Sequence, residues 1–224
     1  MDEEKAFRLP DNVSFAKGAC IGTPTFTAYR ALYEKARARP GDHVFVHGAS
    51  GAVGLVAVQM AVASGMHVVG TAGTSEGMEA ILACGAVKAY NHQDPGYMED
   101  IAAAHPLGFN VCLEILASRN LGRDLPLMAM GGRVAVIGSR GTVSINPRDL
   151  MIRELEVLGV MMEPSTQNLR EAGAFITCLL RSGQLNPIAS LELPLEEAPR
   201  AHTEVISRQN LTVGNVVLIP VHHD

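Results

Sequence analysis

The sequence has no Cys-x-x-Cys pair. Its four cysteines, Cys20, Cys84, Cys112 and Cys178, are far apart and have no nearby histidine at metal-ligand spacing. This argues against a structural zinc and a disulfide framework, so buried, reduced thiols in a reducing compartment are expected. No basic run is present either. Lysine and arginine total 18 against 23 acidic residues, and the net charge of −5 gives no electrostatic reason to expect nucleic acid or an anionic membrane as the main partner. The N-terminal stretch MDEEKAFRLPDN is charged and has no apolar h-region, so no secretory signal is visible. The longest apolar stretch, VGLVAVQMAVA from Val53, reads as too short and too amphipathic to cross a bilayer. Together these absences describe a cytoplasmic protein with no membrane partner.

With 224 residues, 47% of them hydrophobic and 18% charged, the chain has room for one large domain, or a domain and an appendage, with a substantial core. Short β-branched runs alternate with helix-period segments. HVFVH from His43, MHVVGTA from Met66, VKAYN from Val87, FNVCLEIL from Phe109, GRVAVIG from Gly132 and ELEVLGVMM from Glu154 read as strands. Helices are predicted between them over 52–65, 75–85, 95–105 and about 121–130, with Gly65 and Gly85 placed to close two of them. The strands are near-continuous apolar runs, as expected when helices cover both faces of a parallel sheet. The fold class is therefore α/β, a doubly wound parallel sheet. After Met162 this rhythm stops. An amphipathic helix (167–181), a strand, a helix (196–207) and a closing strand (215–219) read as a piece of a second domain.

Directly after the first strand comes GASGAVG, Gly48 to Gly54, with glycines at three-residue spacing opening a helix. In a doubly wound sheet this joint is where a dinucleotide pyrophosphate sits. Glycines let the backbone approach, and the N–H groups and dipole of the helix start hold the phosphate charge. A purely structural turn is the plain alternative, and the surrounding strand–helix units favour the dinucleotide. NAD sites commonly place an acid at the end of the second strand, for the ribose 2′-OH. Here that strand ends GTAGTS, with no acid before Glu76, which leaves room for a 2′-phosphate and favours NADP. Short-chain dehydrogenase chemistry, which needs Tyr-x-x-x-Lys, is not supported: none of Tyr29, Tyr33, Tyr90 or Tyr97 has a lysine four residues on.

The stretches IGTPTFTAYRAL, VHGASGAVGL, GTAGTSEG, YNH, ASRNL and GGRVAVIGSRGTVSINPRDL closely resemble the zeta-crystallin-like NADPH:quinone oxidoreductases, the zinc-independent branch of the medium-chain dehydrogenases/reductases. The resemblance spans nearly the whole chain. It implies a linker remnant (1–17), a Rossmann cofactor domain (18–162), and a C-terminal segment (163–224) that returns to a GroES-like catalytic domain, most of which is absent here. By position, it implies that Ser50, Gly51, Ala52, Val53 and Gly54 line the pyrophosphate of NADPH. Gly73 and His92 would lie by the adenosine ribose. Asn120 and Ile137-Gly138-Ser139-Arg140 would follow the cofactor, and Val160, Met161 and Met162 would close over its nicotinamide end. Arg140 also reads as an exposed loop arginine and His92 as an ordinary core histidine.

This sequence departs from its relatives at two positions. Bacterial members grip the 2′-phosphate with a lysine where Gly77 stands, and zinc-dependent members have a cysteine ligand where Thr23 stands. No metal is expected. The implied activity is reduction of a quinone or enone by NADPH, with a non-catalytic NADPH-binding or assembly module as the alternative. With one wall of the family's cleft missing, no catalytic residue is assigned, and Cys112 and Glu114 read as core packing. The family resemblance also implies a homodimer or homotetramer through the edge strand near 156–162. RNA binding comes by family analogy only, since no basic groove with aromatics supports it.

Overall fold

The computed structural model describes residues 6–162, 166–207 and 213–220. Before the first strand the chain forms α1 (Phe15–Ala19) and α2 (Gly22–Tyr29), the latter continuing as a π-helical segment, Arg30–Lys35. Six apolar runs then become β1 (His43–His47), β2 (His67–Ala72), β3 (Lys88–Asn91), β4 (Phe109–Glu114), β5 (Met128–Val136) and β6 (Glu156–Gly159). They pair in parallel in the order β3-β2-β1-β4-β5-β6. The crossovers run through α3 (Ala52–Ala63), α4 (Ser75–Ala83), α5 (Tyr97–Ala104), α6 (Ala117–Asp124) and α7 (Pro147–Arg153). The chain order reverses between β1 and β4, and that crevice is where open α/β sheets bind ligands.

The side-chain alternation of a strand explains why the interior of β1, Val44 to Val46, is apolar on both faces. Val44 and Val46 point into one core layer, with α2, α3 and α4. Phe45 points into the other, with α5 and α6, and stacks 5.2 Å from Phe109. Helix α3, expected to be amphipathic, is buried at every position from Gly54 to Ala61, because α2 covers the side turned away from the sheet. Among the described residues no helix is long and apolar enough to cross a membrane.

Three further sequence expectations are corrected. The helix expected over 121–130 ends at Asp124, and a 3-10 turn, Leu125–Leu127, follows around Pro126. Proline there cannot donate the helical N–H. Met128 already belongs to β5, which is therefore longer than expected. At β6 the chain leaves the sheet after Gly159, so Val160–Met162 lie beyond the strand. The tail also keeps a strand–helix–strand crossover: β7 (Ala189–Pro194), α9 (Ala198–Ser207) and β8 (Asn215–Ile219) form a separate two-stranded parallel sheet. Ahead of it, α8 (Thr166–Ser182) packs on α2 and sends Ala172, Ile176 and Leu179 into the α3 core layer.

Candidate functional site

The topology brings all the residues expected to hold a cofactor to the C-terminal edge of the sheet. Ser50–Gly54 follow β1, Gly73 follows β2, His92 follows β3, Asn120 lies on α6 beyond β4, Ile137–Arg140 follow β5, and Val160–Met162 follow β6.

The glycine loop has distinct tasks for its three glycines. Gly48 takes φ +83°, a left-handed conformation that turns the chain out of β1. Its N–H donates to Thr71 Oγ1 at 2.9 Å, and the Ala49 N–H donates to the Thr71 carbonyl at 2.7 Å, so β2 holds the loop. Gly51 caps α3 in extended conformation without a side-chain acceptor. Gly54 faces the Ala49 backbone so closely that an added Cβ would lie 2.5 Å from the Ala49 carbonyl oxygen. The first helical hydrogen bond of α3 runs from Leu55 N–H to the Gly51 carbonyl, which leaves the N–H groups of its first turn without helical acceptors. Those N–H groups, the helix dipole and the loop without side-chain bulk at Gly51 fit a dinucleotide pyrophosphate. The tail supports the loop from outside: Gly214 N–H donates to the Ser50 carbonyl at 2.9 Å.

Beyond β2 the chain reads Gly73-Thr74-Ser75, and Thr74 caps α4 by accepting from Gly77 N–H at 3.0 Å. Gly77 is buried against Ala72 and Ser50, where its hydrogen leaves no room for a longer side chain. The first acid, Glu76, is exposed. His92 is half-buried, and its N–H donates to the Ala72 carbonyl at 2.8 Å. Its ring Nδ1 is buried with no partner among the described residues, and burial holds the imidazole below its ordinary pKa. Ser139 and Arg140 are exposed, with Arg140 N–H donating to Ser118 Oγ at 3.2 Å. Gly138 approaches the β4 exit so closely that a Cβ would lie 2.4 Å from the Ile115 carbonyl oxygen. Met162 borders an apolar groove of about 910 Å³ formed with Phe7, Leu9, Phe15, Phe26 and Leu180.

Sequence reasoning missed a buried polar cluster beneath this edge. His47 and Glu114 are register partners at the ends of β1 and β4. His47 Nδ1 lies 2.8 Å from Asp124 Oδ1 and 3.3 Å from Glu114 Oε2, and its Nε2 lies 3.0 Å from the Tyr97 hydroxyl. Glu114 and Asp124 have 0% exposure. Burial opposes charge on His47, but the hydrogen bonds and charges of Asp124 and Glu114 outweigh it and push its pKa up to about 9. Burial, opposed by His47 and reinforced by Glu114, pushes Asp124 up to about 7. Glu114 is held down despite its burial, by the facing His47 charge, the neighbouring Asp124 carboxyl and the Leu116 N–H, although its Oε2 has no hydrogen-bond partner among the described residues. Glu114 is fully buried, in keeping with core packing, and its Oε1 accepts from Leu116 N–H and from Asn120 Nδ2. His47, Glu114 and Asp124 offer metal-ligand types within 4.8 Å of one another. The 2.8 Å Nδ1–Oδ1 separation, however, is that of a hydrogen bond, shorter than the roughly 3.3 Å between two tetrahedral ligands of one ion. The four cysteines are all free, and the Cys112 thiol is pushed well up by burial.

Comparison with known proteins gives the family. Residues 52–177 match the model of the zinc-binding dehydrogenases. The quinone oxidoreductase of Rattus norvegicus is 40% identical over 219 residues, covering 97% of this chain and 66% of that relative. The Homo sapiens quinone oxidoreductase is 41% identical with the same coverage. This chain therefore spans about two thirds of the length of these relatives. Among solved structures, the quinone oxidoreductase of Thermus thermophilus, known also in complex with NADPH, superimposes with a TM-score of 0.85 at 32% identity. That match covers 95% of this chain and 69% of that one. The matched segment runs from the glycine loop through the sheet into α8, and the chain belongs to the zinc-binding dehydrogenase family, with quinone oxidoreductases among its relatives.

Proposed function

We propose that this chain binds NADPH along the C-terminal edge of the sheet and serves the reduction of a quinone or enone in a zinc-free site. The observation that carries the reading is the glycine loop: a helix N-terminus without a side-chain cap at the switch point, followed by a β2 exit with no carboxylate before Glu76. The N–H groups around Ser50, Gly51, Ala52 and Val53 would hold the pyrophosphate. Gly73 would leave space for the ribose 2′-phosphate, and His92 Nδ1, buried and unpartnered, would accept from a ribose hydroxyl. Arg140, exposed beyond β5, would offer its guanidinium to a phosphate. Asn120, Ile137, Gly138 and Ser139 would carry the cofactor toward Val160, Met161 and Met162. The bound cofactor supplies the hydride, and these residues orient it and keep water from its reactive end. Thr23, where zinc-dependent relatives have a cysteine ligand, supports a zinc-free site.

A second reading has its own support. The apolar groove beside Met162 leaves Phe15 91% exposed. On this reading the chain is an NADPH-binding and assembly module in the cytoplasm. It would pair with a second copy through β6, the sheet's edge, where Val157 stands exposed, with exposed Met161 just beyond the strand. Consumption of NADPH by the purified chain with an ortho-quinone separates the two. Turnover is expected if the chain is a reductase; saturable NADPH binding without turnover would leave the module reading alone.

A further inference from the structure

We propose that Glu114 is a positioning residue for the dinucleotide site: braced by His47 and Asp124, its carboxylate fixes the β4 exit and Asn120 opposite the glycine loop. The inference rests on the dinucleotide reading above and goes beyond it by assigning the buried cluster a task. Glu114 is the last residue of β4, and its register partner His47 directly precedes the glycine loop at Gly48. One carboxylate oxygen, Oε1, accepts from Leu116 N–H and from Asn120 Nδ2 at 3.2 Å. The other, Oε2, lies 3.3 Å from His47 Nδ1. The Glu114 carbonyl accepts from Ile137 N–H at 2.8 Å. A single buried residue therefore touches the β4–α6 loop and, through its side chain and its backbone carbonyl, two of the places assigned to the cofactor, Asn120 and the β5 exit.

The surrounding contacts argue against a merely space-filling acid. A fully buried carboxylate is costly, and an apolar side chain of similar size would fill the volume without that cost. Here the His47 ring on β1 lies 3.3 Å from the carboxylate, and it is held there by Asp124 on α6 and by the hydroxyl of Tyr97 on α5, whose ring lies 5.0 Å from the Arg123 guanidinium. The segment held by Glu114 is also tied directly to the β5 exit, since Ala117 N–H donates to the Gly138 carbonyl at 2.9 Å. Displacing Leu116 would thus shift Gly138 as well. Carboxylate acceptors are strong, directional anchors for such N–H groups.

The test uses the full chain with Glu114→Gln and Asn120→Ala. NADPH affinity is read by fluorescence titration, and backbone exchange at Leu116 by amide hydrogen exchange. Glutamine keeps the size of the side chain but loses the charge. Glu114→Gln is expected to weaken NADPH about tenfold or more and to speed exchange at Leu116, while amides of β1 and β4 keep their protection. Asn120→Ala is expected to weaken NADPH with Leu116 still protected. Unchanged affinity in a folded Glu114→Gln protein would overturn the proposal while leaving the dinucleotide reading intact. So would protection lost evenly across the sheet, which marks a purely structural acid. Should Glu114→Gln fail to fold, unchanged affinity in Asn120→Ala would overturn it in turn. If the unaltered chain binds no NADPH, the dinucleotide reading fails and the positioning role fails with it.

Discussion

Replacing His47 with leucine is expected to lower folding stability by about 3–5 kcal/mol near neutral pH. The substitution removes the cation between two carboxyl groups that have no exposure, and leucine offers neither a donor for Asp124 nor one for Glu114. Removing one partner of a buried ionic cluster leaves the others uncompensated in a low-dielectric interior, and this is where the large cost arises. The pH dependence identifies the cause. The His47 pKa is raised in the folded protein, to about 9 from an ordinary value near 6.5. The native state therefore holds a proton that the unfolded state has released between those values, and stability falls as pH rises through that window. Asp124, raised to about 7, adds the same sign below neutrality: its contribution is full below its unfolded pKa and lost as pH rises through 7. In the leucine variant, both carboxyls can become neutral in acid. The gap between wild type and variant is therefore widest near neutrality and narrows both toward acid and beyond pH 9. Denaturant unfolding across this range measures it. A loss below about 1 kcal/mol, or a gap that does not change with pH, would contradict the account of the cluster.

The second large effect is at Gly54. Gly54→Ala is expected to cost about 2–4 kcal/mol and to abolish NADPH binding. Its Cβ would stand 2.5 Å from the Ala49 carbonyl oxygen and 2.6 Å from the Ala49 Cα, so relief requires moving the glycine loop itself. Gly51→Ala supplies the contrast. The nearest atom to a Cβ at that position is the Gly48 carbonyl oxygen at 3.9 Å, and the residue's φ of −78° suits alanine. The fold should tolerate Gly51→Ala within about 1 kcal/mol, while the methyl group occupies the space through which a pyrophosphate approaches. On the proposed reading Gly54 is required by the close approach of α3 to the loop at Ala49, and Gly51 by the ligand. Thermal unfolding and NADPH titration of the two variants separate these roles. Equal destabilisation by both, or NADPH affinity unaffected by Gly51→Ala, would contradict this division.

The features legible in the sequence are those encoded in short, periodic segments. HVFVH and FNVCLE read as buried parallel strands because both faces of each are apolar, and GASGAVG lies between a strand and a helix where its chemistry can be inferred. The α6 boundary is not legible because the apolar pattern around Leu121 to Met130 continues through Pro126, while the helical backbone does not. The crossover in the tail went unread because β7 and β8 form their own sheet, with alternating exposure along β7. The buried cluster was not legible for a different reason. His47 is 77 residues from Asp124 and 50 from Tyr97 in sequence, so no local spacing joins them. The available signal is a polar residue at the last position of two largely apolar strands, His47 on β1 and Glu114 on β4. In a parallel sheet those positions meet only once the strand order is known.

Equilibrium binding of NADPH and NADH to the purified chain, titrated side by side, tests the central claim most directly. A phosphate-binding glycine loop with an acid-free β2 exit predicts saturable NADPH binding, with NADH weaker by about tenfold or more because it lacks the 2′-phosphate. Binding of neither nucleotide, or tighter binding of NADH, would contradict the assignment of this edge to NADPH.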